Sequence, residues 1–129
     1  MVQTLTRVLC VDDDPDIRIM LEFALRRVGG LEVAICASGI EALARAQEFA
    51  PDLMLLDAVM PGMDGPATLR RLRAIPALAD VPALFLTAKA DSDEMEHFAD
   101  MGAHGILAKP FDAMKLADVV RAAWERTLA

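Results

Sequence analysis

The sequence predicts a doubly wound α/β domain in which five parallel strands alternate with five helices, a (βα)5 order. Three observations lead there. Short apolar runs recur at Val8-Leu9-Cys10-Val11, Leu31 to Cys36, Leu53-Met54-Leu55-Leu56, Ala83-Leu84-Phe85-Leu86 and Gly105-Ile106-Leu107-Ala108. Most are apolar at successive positions instead of alternating, so both faces of each strand must be covered, as in a parallel sheet between helix layers. Longer stretches of helical period separate the runs, and no internal repeat or low-complexity linker interrupts them.

The elements follow in order. After the first run, Asp14 stands as a helix cap with Pro15 at the first helical position, and Ile17, Met20, Leu21, Ala24, Leu25 and Val28 share one face. Gly29-Gly30 ends that helix. A second helix is expected over Ser38 to Glu48 and a third over Gly65 to Ala74, with Pro66 at its start. A fourth, acidic and weaker in period, spans Ser92 to Met101. The fifth carries Leu116, Val119, Val120, Ala123, Trp124 and Thr127 on one face, with Asp112 as its cap.

Composition bounds the function. A chain of 129 residues fits one domain, 1–129 with a core over about 6–128, and 55% hydrophobic against 26% charged residues excludes a disordered chain. Thirteen Lys and Arg against 20 Asp and Glu leave a net charge of −7 and a pI near 4.7, so direct nucleic-acid or membrane-surface binding is not expected. Uncharged stretches such as Val33 to Ile40 and Val81 to Ala88 fall well short of the roughly 20 residues of a spanning helix. Residues Met1 to Arg7 lack the features of a secretory signal, which places the chain in the cytoplasm. Cys10 and Cys36 lie in apolar runs without CxxC spacing and are expected to be buried free thiols. His97 and His104 read as surface histidines.

Ligands of doubly wound sheets bind at the carboxyl ends of the strands. Here those ends run into Asp12-Asp13-Asp14, Asp57, Thr87 and Lys109-Pro110. Helix capping accounts for Asp14 and Asp112. It does not account for Asp57, because Ala58 to Met63 intervene before the next helix, nor for Lys109, because a cation is disfavoured before a helix start. Asp12, Asp13 and Asp57 converging would repel one another unless a cation sat among them, and Mg²⁺ suits an all-oxygen donor set.

Four segments together resemble the receiver domains of two-component response regulators, of the single-domain chemotaxis-regulator kind. Val8 to Arg18 is similar to the first strand and acidic pocket, and Leu55 to Gly65 to the phosphoacceptor segment. Leu86-Thr87-Ala88 is similar to the switch hydroxyl, and Gly102 to Phe111 to the lysine segment. The resemblance covers essentially the whole chain and implies a flavodoxin-like strand order of 2-1-3-4-5. It implies that Asp57 takes a phosphoryl group from a phosphohistidine on a sensor histidine kinase or histidine phosphotransfer protein. Asp13, Asp57 and the Val59 carbonyl would ligate Mg²⁺, with Asp12 acting through water, and Mn²⁺ could substitute. Lys109 would pair first with Asp57 and then with the phosphoryl, and Thr87 would donate its hydroxyl to it. Val59 and Lys89 occupy positions that tune phosphoryl lifetime, and Ile106 stands where the family often carries an aromatic switch residue. The downstream protein would be met by the fourth helix, fifth strand and fifth helix. No output segment follows the fifth helix, so the expectation is a domain standing alone or cut from a larger regulator, acting as a signalling phosphoacceptor and not as an enzyme.

Two other readings use the same residues. A haloacid-dehalogenase-like phosphatase would take Asp12 as nucleophile with Asp14, Thr87 and Lys109, but leaves Asp57 unused and lacks the Gly-Thr that follows paired aspartates in that family. A degenerate receiver would bind partners without phosphorylation; the complete acidic, Thr and Lys set argues against it.

Overall fold

The computed structural model describes residues 3–128; Met1 and Val2, at the start of the expected signal-free segment, and Ala129 lie outside them. The chain runs β1 (Arg7–Val11), α1 (Pro15–Glu22, continued as a π-helical turn over Phe23–Val28), β2 (Glu32–Cys36), α2 (Gly39–Phe49), β3 (Leu53–Asp57), α3 (Gly65–Arg73), β4 (Ala83–Thr87), α4 (Ser92–Ala99), β5 (Gly105–Ala108) and α5 (Leu116–Arg126). A short 3-10 turn at Pro76–Leu78 leads into β4. All strand pairs are parallel and the sheet order is β2-β1-β3-β4-β5, so the chain reverses direction across the sheet between β1 and β3.

The central strands β1, β3 and β4 are buried on both faces because alternate side chains feed separate cores, while the edge strands β2 and β5 are partly exposed. Val8 and Cys10 of β1 pack with Leu21, Leu25, Val120 and Trp124, placing α1 and α5 on one face. Leu9 and Val11 pack with Ala42, Ala46, Leu69, Leu72 and Phe98, placing α2, α3 and α4 on the other. Cys10 and Cys36 are buried free thiols in opposite layers. Burial holds both thiols protonated, that of Cys36 pushed up to about 11.

Three boundaries differ from the sequence expectation. The first helix widens to π geometry at Phe23, which turns Val28 outward, and Met20 is exposed as well. α5 begins at Leu116 behind Lys115; Asp112 caps a turn instead, its Oδ1 accepting from the Met114 N–H at 2.9 Å while its carbonyl accepts from Lys115 and Leu116. α4 stops at Ala99, where Met101 and Gly102 donate to carbonyls three residues back and Gly102 takes a φ of 94°. Asp14, Ser38 and Asp64 cap α1, α2 and α3 through side-chain acceptors.

Candidate functional site

The chain reversal brings the ends of β1, β3 and β5 to one cleft. Asp12 follows β1 directly, and its N–H donates to the Cys36 carbonyl at 3.1 Å, extending the β1–β2 ladder by one rung. The residue is fully buried. Its Oδ1 accepts from the Asp14 N–H at 2.9 Å, and the Arg18 guanidinium donates to its carbonyl at 2.9 Å from one turn into α1. Asp57, the last residue of β3, is also buried. Lys109 follows β5, its N–H held by the Thr87 carbonyl at 2.8 Å, and is joined to Pro110 by a cis peptide.

The Lys109 ammonium bridges the two buried carboxylates, 3.0 Å from Asp12 Oδ2 and 2.9 Å from Asp57 Oδ1. Sequence reasoning paired Lys109 with Asp57 alone; the contact with Asp12, the Asp12–Asp14 turn and the Arg18 anchor were missed. An Asp two residues ahead of a helix cap is the signal that could have revealed the turn. Asp13 stays at the surface, yet it offers an oxygen within 4.8 Å of oxygens on Asp12 and Asp57.

The electrostatics of this cleft fit a divalent cation. Three carboxylates and one ammonium sum to −3 + 1 = −2, and all the donors are hard oxygens. Burial pushes the Asp57 carboxyl up from 3.8 to about 6; the Lys109 hydrogen bond opposes the shift, and the Asp12 charge adds to it. Burial by itself would lower the Lys109 ammonium, but hydrogen bonds to Asp57 and Asp12 outweigh it and hold the group above its ordinary value. Asp12 has both oxygens engaged, by Asp14 and by Lys109, which leaves it poorly placed as a nucleophile.

The remaining expected residues sit at the end of β4, on β5 and in the loops after β3 and β4. Thr87 closes β4 and is buried; its Oγ1 accepts from the Lys89 N–H at 3.2 Å, so its hydroxyl is turned to the loop after β4 and not to the carboxylates. Ile106 on β5 is the register partner of Phe85 and packs half-buried in the α2–α4 layer. Val59 is 80% exposed, and Lys89 is exposed with its ammonium 3.7 Å from Asp91. His97 and His104 are exposed, as expected. No helix is long and apolar enough to cross a membrane among the described residues.

Comparisons with known proteins agree with this geometry. The response regulator receiver domain family matches residues 8–121. The chain is 40% identical over 120 residues to the DNA-binding response regulator MtrA of Mycolicibacterium smegmatis, covering 93% of this chain and 51% of that protein. It is 37% identical over 121 residues to the transcriptional regulator RpaA of Synechocystis, covering 94% and 50%. The chain thus spans about half the length of the curated relatives it matches. Among solved structures, the chemotaxis protein CheY4 of Vibrio cholerae superposes with a TM-score of 0.84 at 33% identity, covering 92% of this chain and 98% of that one. The receiver domain of the sensor kinase PA1611 from Pseudomonas aeruginosa, which has a magnesium ion coordinated in its active site cleft, superposes with a TM-score of 0.80 at 31% identity, covering 93% and 98%. With the family match running over residues 8–121 and the parallel strand order shared with CheY4, the chain belongs to the response regulator receiver domains.

Proposed function

We propose that Asp57 accepts a phosphoryl group from the phosphohistidine of a sensor histidine kinase or histidine phosphotransfer protein, and that the resulting aspartyl phosphate resets a protein-binding surface. The observation that carries this reading is the Lys109 ammonium held between two buried carboxylates, 2.9 Å from Asp57. An Asp57 oxygen attacks phosphorus, the P–N bond to the imidazole breaks, and the electron pair returns to the ring. Lys109 starts as the counter-ion of Asp57, leaving it free to follow charge onto the phosphoryl oxygens, where a fixed cation is most effective. Thr87 exchanges its bond with the Lys89 backbone for one donated to a phosphoryl oxygen.

Mg²⁺ would be held by Asp13, Asp57 and the Val59 carbonyl, with Asp12 behind a water, and Mn²⁺ would substitute. When bound, the metal supplies charge stabilisation for the transferring phosphoryl group. The exposed side chains of Val59 and Lys89 flank the approach of water and tune how long the aspartyl phosphate survives. The downstream partner is a protein met by α4, β5 and α5, and the chain catalyses only its own phosphorylation and dephosphorylation. The net charge of −7 disfavours nucleic acid or membrane as direct partners of this domain, whose proposed setting is the cytoplasm.

Incubation with acetyl phosphate and Mg²⁺ tests the reading by intact mass. The wild type is expected to gain one phosphoryl group, and Asp57→Asn or added EDTA to abolish the gain. An unchanged gain under either condition would overturn it.

A further inference from the structure

We propose that α3 carries a second docking surface, distinct from the α4–β5–α5 face, which takes an acidic segment of a partner protein anchored by an apolar side chain. α3 holds Arg70, Arg71 and Arg73 in its last turn and no acidic residue within its span, on a chain whose net charge is −7. Arg73 is fully committed: it donates to the carbonyls of Ala79, Val81 and Gly102, tying the end of α3 to the turn after α4. Arg70 and Arg71 are exposed and make no ion pair or side-chain hydrogen bond among the described residues. Arg27, Lys115 and Arg126 are likewise exposed without a side-chain partner among the described residues, but each stands apart in the sequence, whereas Arg70 and Arg71 are adjacent on a helix that carries no carboxylate.

Two concavities flank Arg70. One, of about 520 Å³, lies between α3 and the end of α4 and is walled by Pro66, Leu69, Met101 and Gly102. The other, of about 460 Å³, lies toward the loop after β3 and is walled by Gly62, Met63, Ala67 and Arg71. Because Arg73 pins Gly102, the first groove is held open without a ligand, and an occupant meets a preformed site. Its apolar wall suits one aliphatic or aromatic side chain, while Arg70 and Arg71 suit carboxylates of the same segment, with guanidinium forks matched to them. Asp100 at the rim repels an over-long acidic run and favours a short one. Two arginines on this face of a strongly acidic domain are too few to hold a polyanionic nucleic acid, which favours a peptide.

The test is amide chemical-shift mapping of the wild type with a synthetic helical peptide carrying two glutamates one turn apart beside a leucine. Shifts are expected at Ala67 to Arg71 and Met101 to Gly102. The double variant Arg70→Glu/Arg71→Glu should weaken binding at least about tenfold through charge reversal, yet take up phosphoryl from acetyl phosphate as the wild type does. That last arm separates failure of this surface from failure of the Asp57 assignment. Shifts confined to Leu107 to Val119, equal affinity for the double variant, or no binding would overturn the proposal. Equal displacement of these resonances by a single-stranded oligonucleotide, or by raising the protein's own concentration, would overturn it in favour of nucleic acid or a second copy.

Discussion

Burial raises the Asp57 carboxyl from 3.8 to about 6 although Lys109 lies 2.9 Å away, so the metal-free cleft is held together against its own desolvation and the Asp12 charge. A carboxyl raised in the folded state binds more protons than the unfolded chain between about pH 4 and 6, so its contribution to stability is lost as pH rises through that window. In EDTA, Asp57→Asn should therefore melt higher than the wild type by a few degrees near pH 7, and the gap should close toward pH 4. Thermal melts across that range check it; parallel curves for the two proteins would show that Asp57 carries no such burden. The residue types of this cleft were legible because each stands at the end of an apolar run with no helix to cap. What the sequence concealed was the shared use of Lys109, since the contact with Asp12 spans 97 positions and has no local signature.

The elements were legible where apolar period and caps agreed, as at Asp14-Pro15 and at Ser38. They were less so where tertiary contact overrode period. The π turn at Phe23–Val28 brings Gly29 against α5, where an added Cβ would stand 2.5 Å from the Ala117 Cβ and 2.7 Å from the Leu25 carbonyl. Gly29 was read from sequence as a stop signal; its bare Cα is also the packing contact between α1 and α5. Gly29→Ala should accordingly destabilise by about 1–3 kcal/mol in urea denaturation, and an unchanged midpoint would show that the π turn relaxes freely. α4 is weakly held for a different reason. It buries only Phe98, whose ring lies 4.8 Å from that of Phe85 on β4. The loop leading into it is tied to Thr87 Oγ1 through Lys89. On the proposed role of Thr87, recruiting its hydroxyl to a phosphoryl group would free the loop before α4, and Ile106, stiff at χ1, leaves no ring to rotate in compensation. Beryllofluoride, a phosphoryl mimic, should change amide exchange between Ala88 and Ala108, and Thr87→Ala should shrink that change while Ile106→Val should not. Changes confined to the loop after Asp57 would break the link.

At the scale of the molecule, continuous apolar runs declared a two-sided parallel sheet, while the placement of β1 between β2 and β3 came from resemblance, because no local pattern records which strands are neighbours. That order gathers Asp12, Asp57 and Lys109 from the first, third and fifth strands, and on the proposed reading the gathering makes Asp57, and not Asp12, the acceptor. Borohydride reduction of the phosphorylated protein, followed by peptide mapping, reads this directly, since an acyl phosphate is reduced to an alcohol at the residue that carried it. Homoserine is expected at position 57 and unmodified aspartate at positions 12 and 13. Homoserine at position 12, or intact aspartate at position 57 in phosphorylated protein, would contradict it.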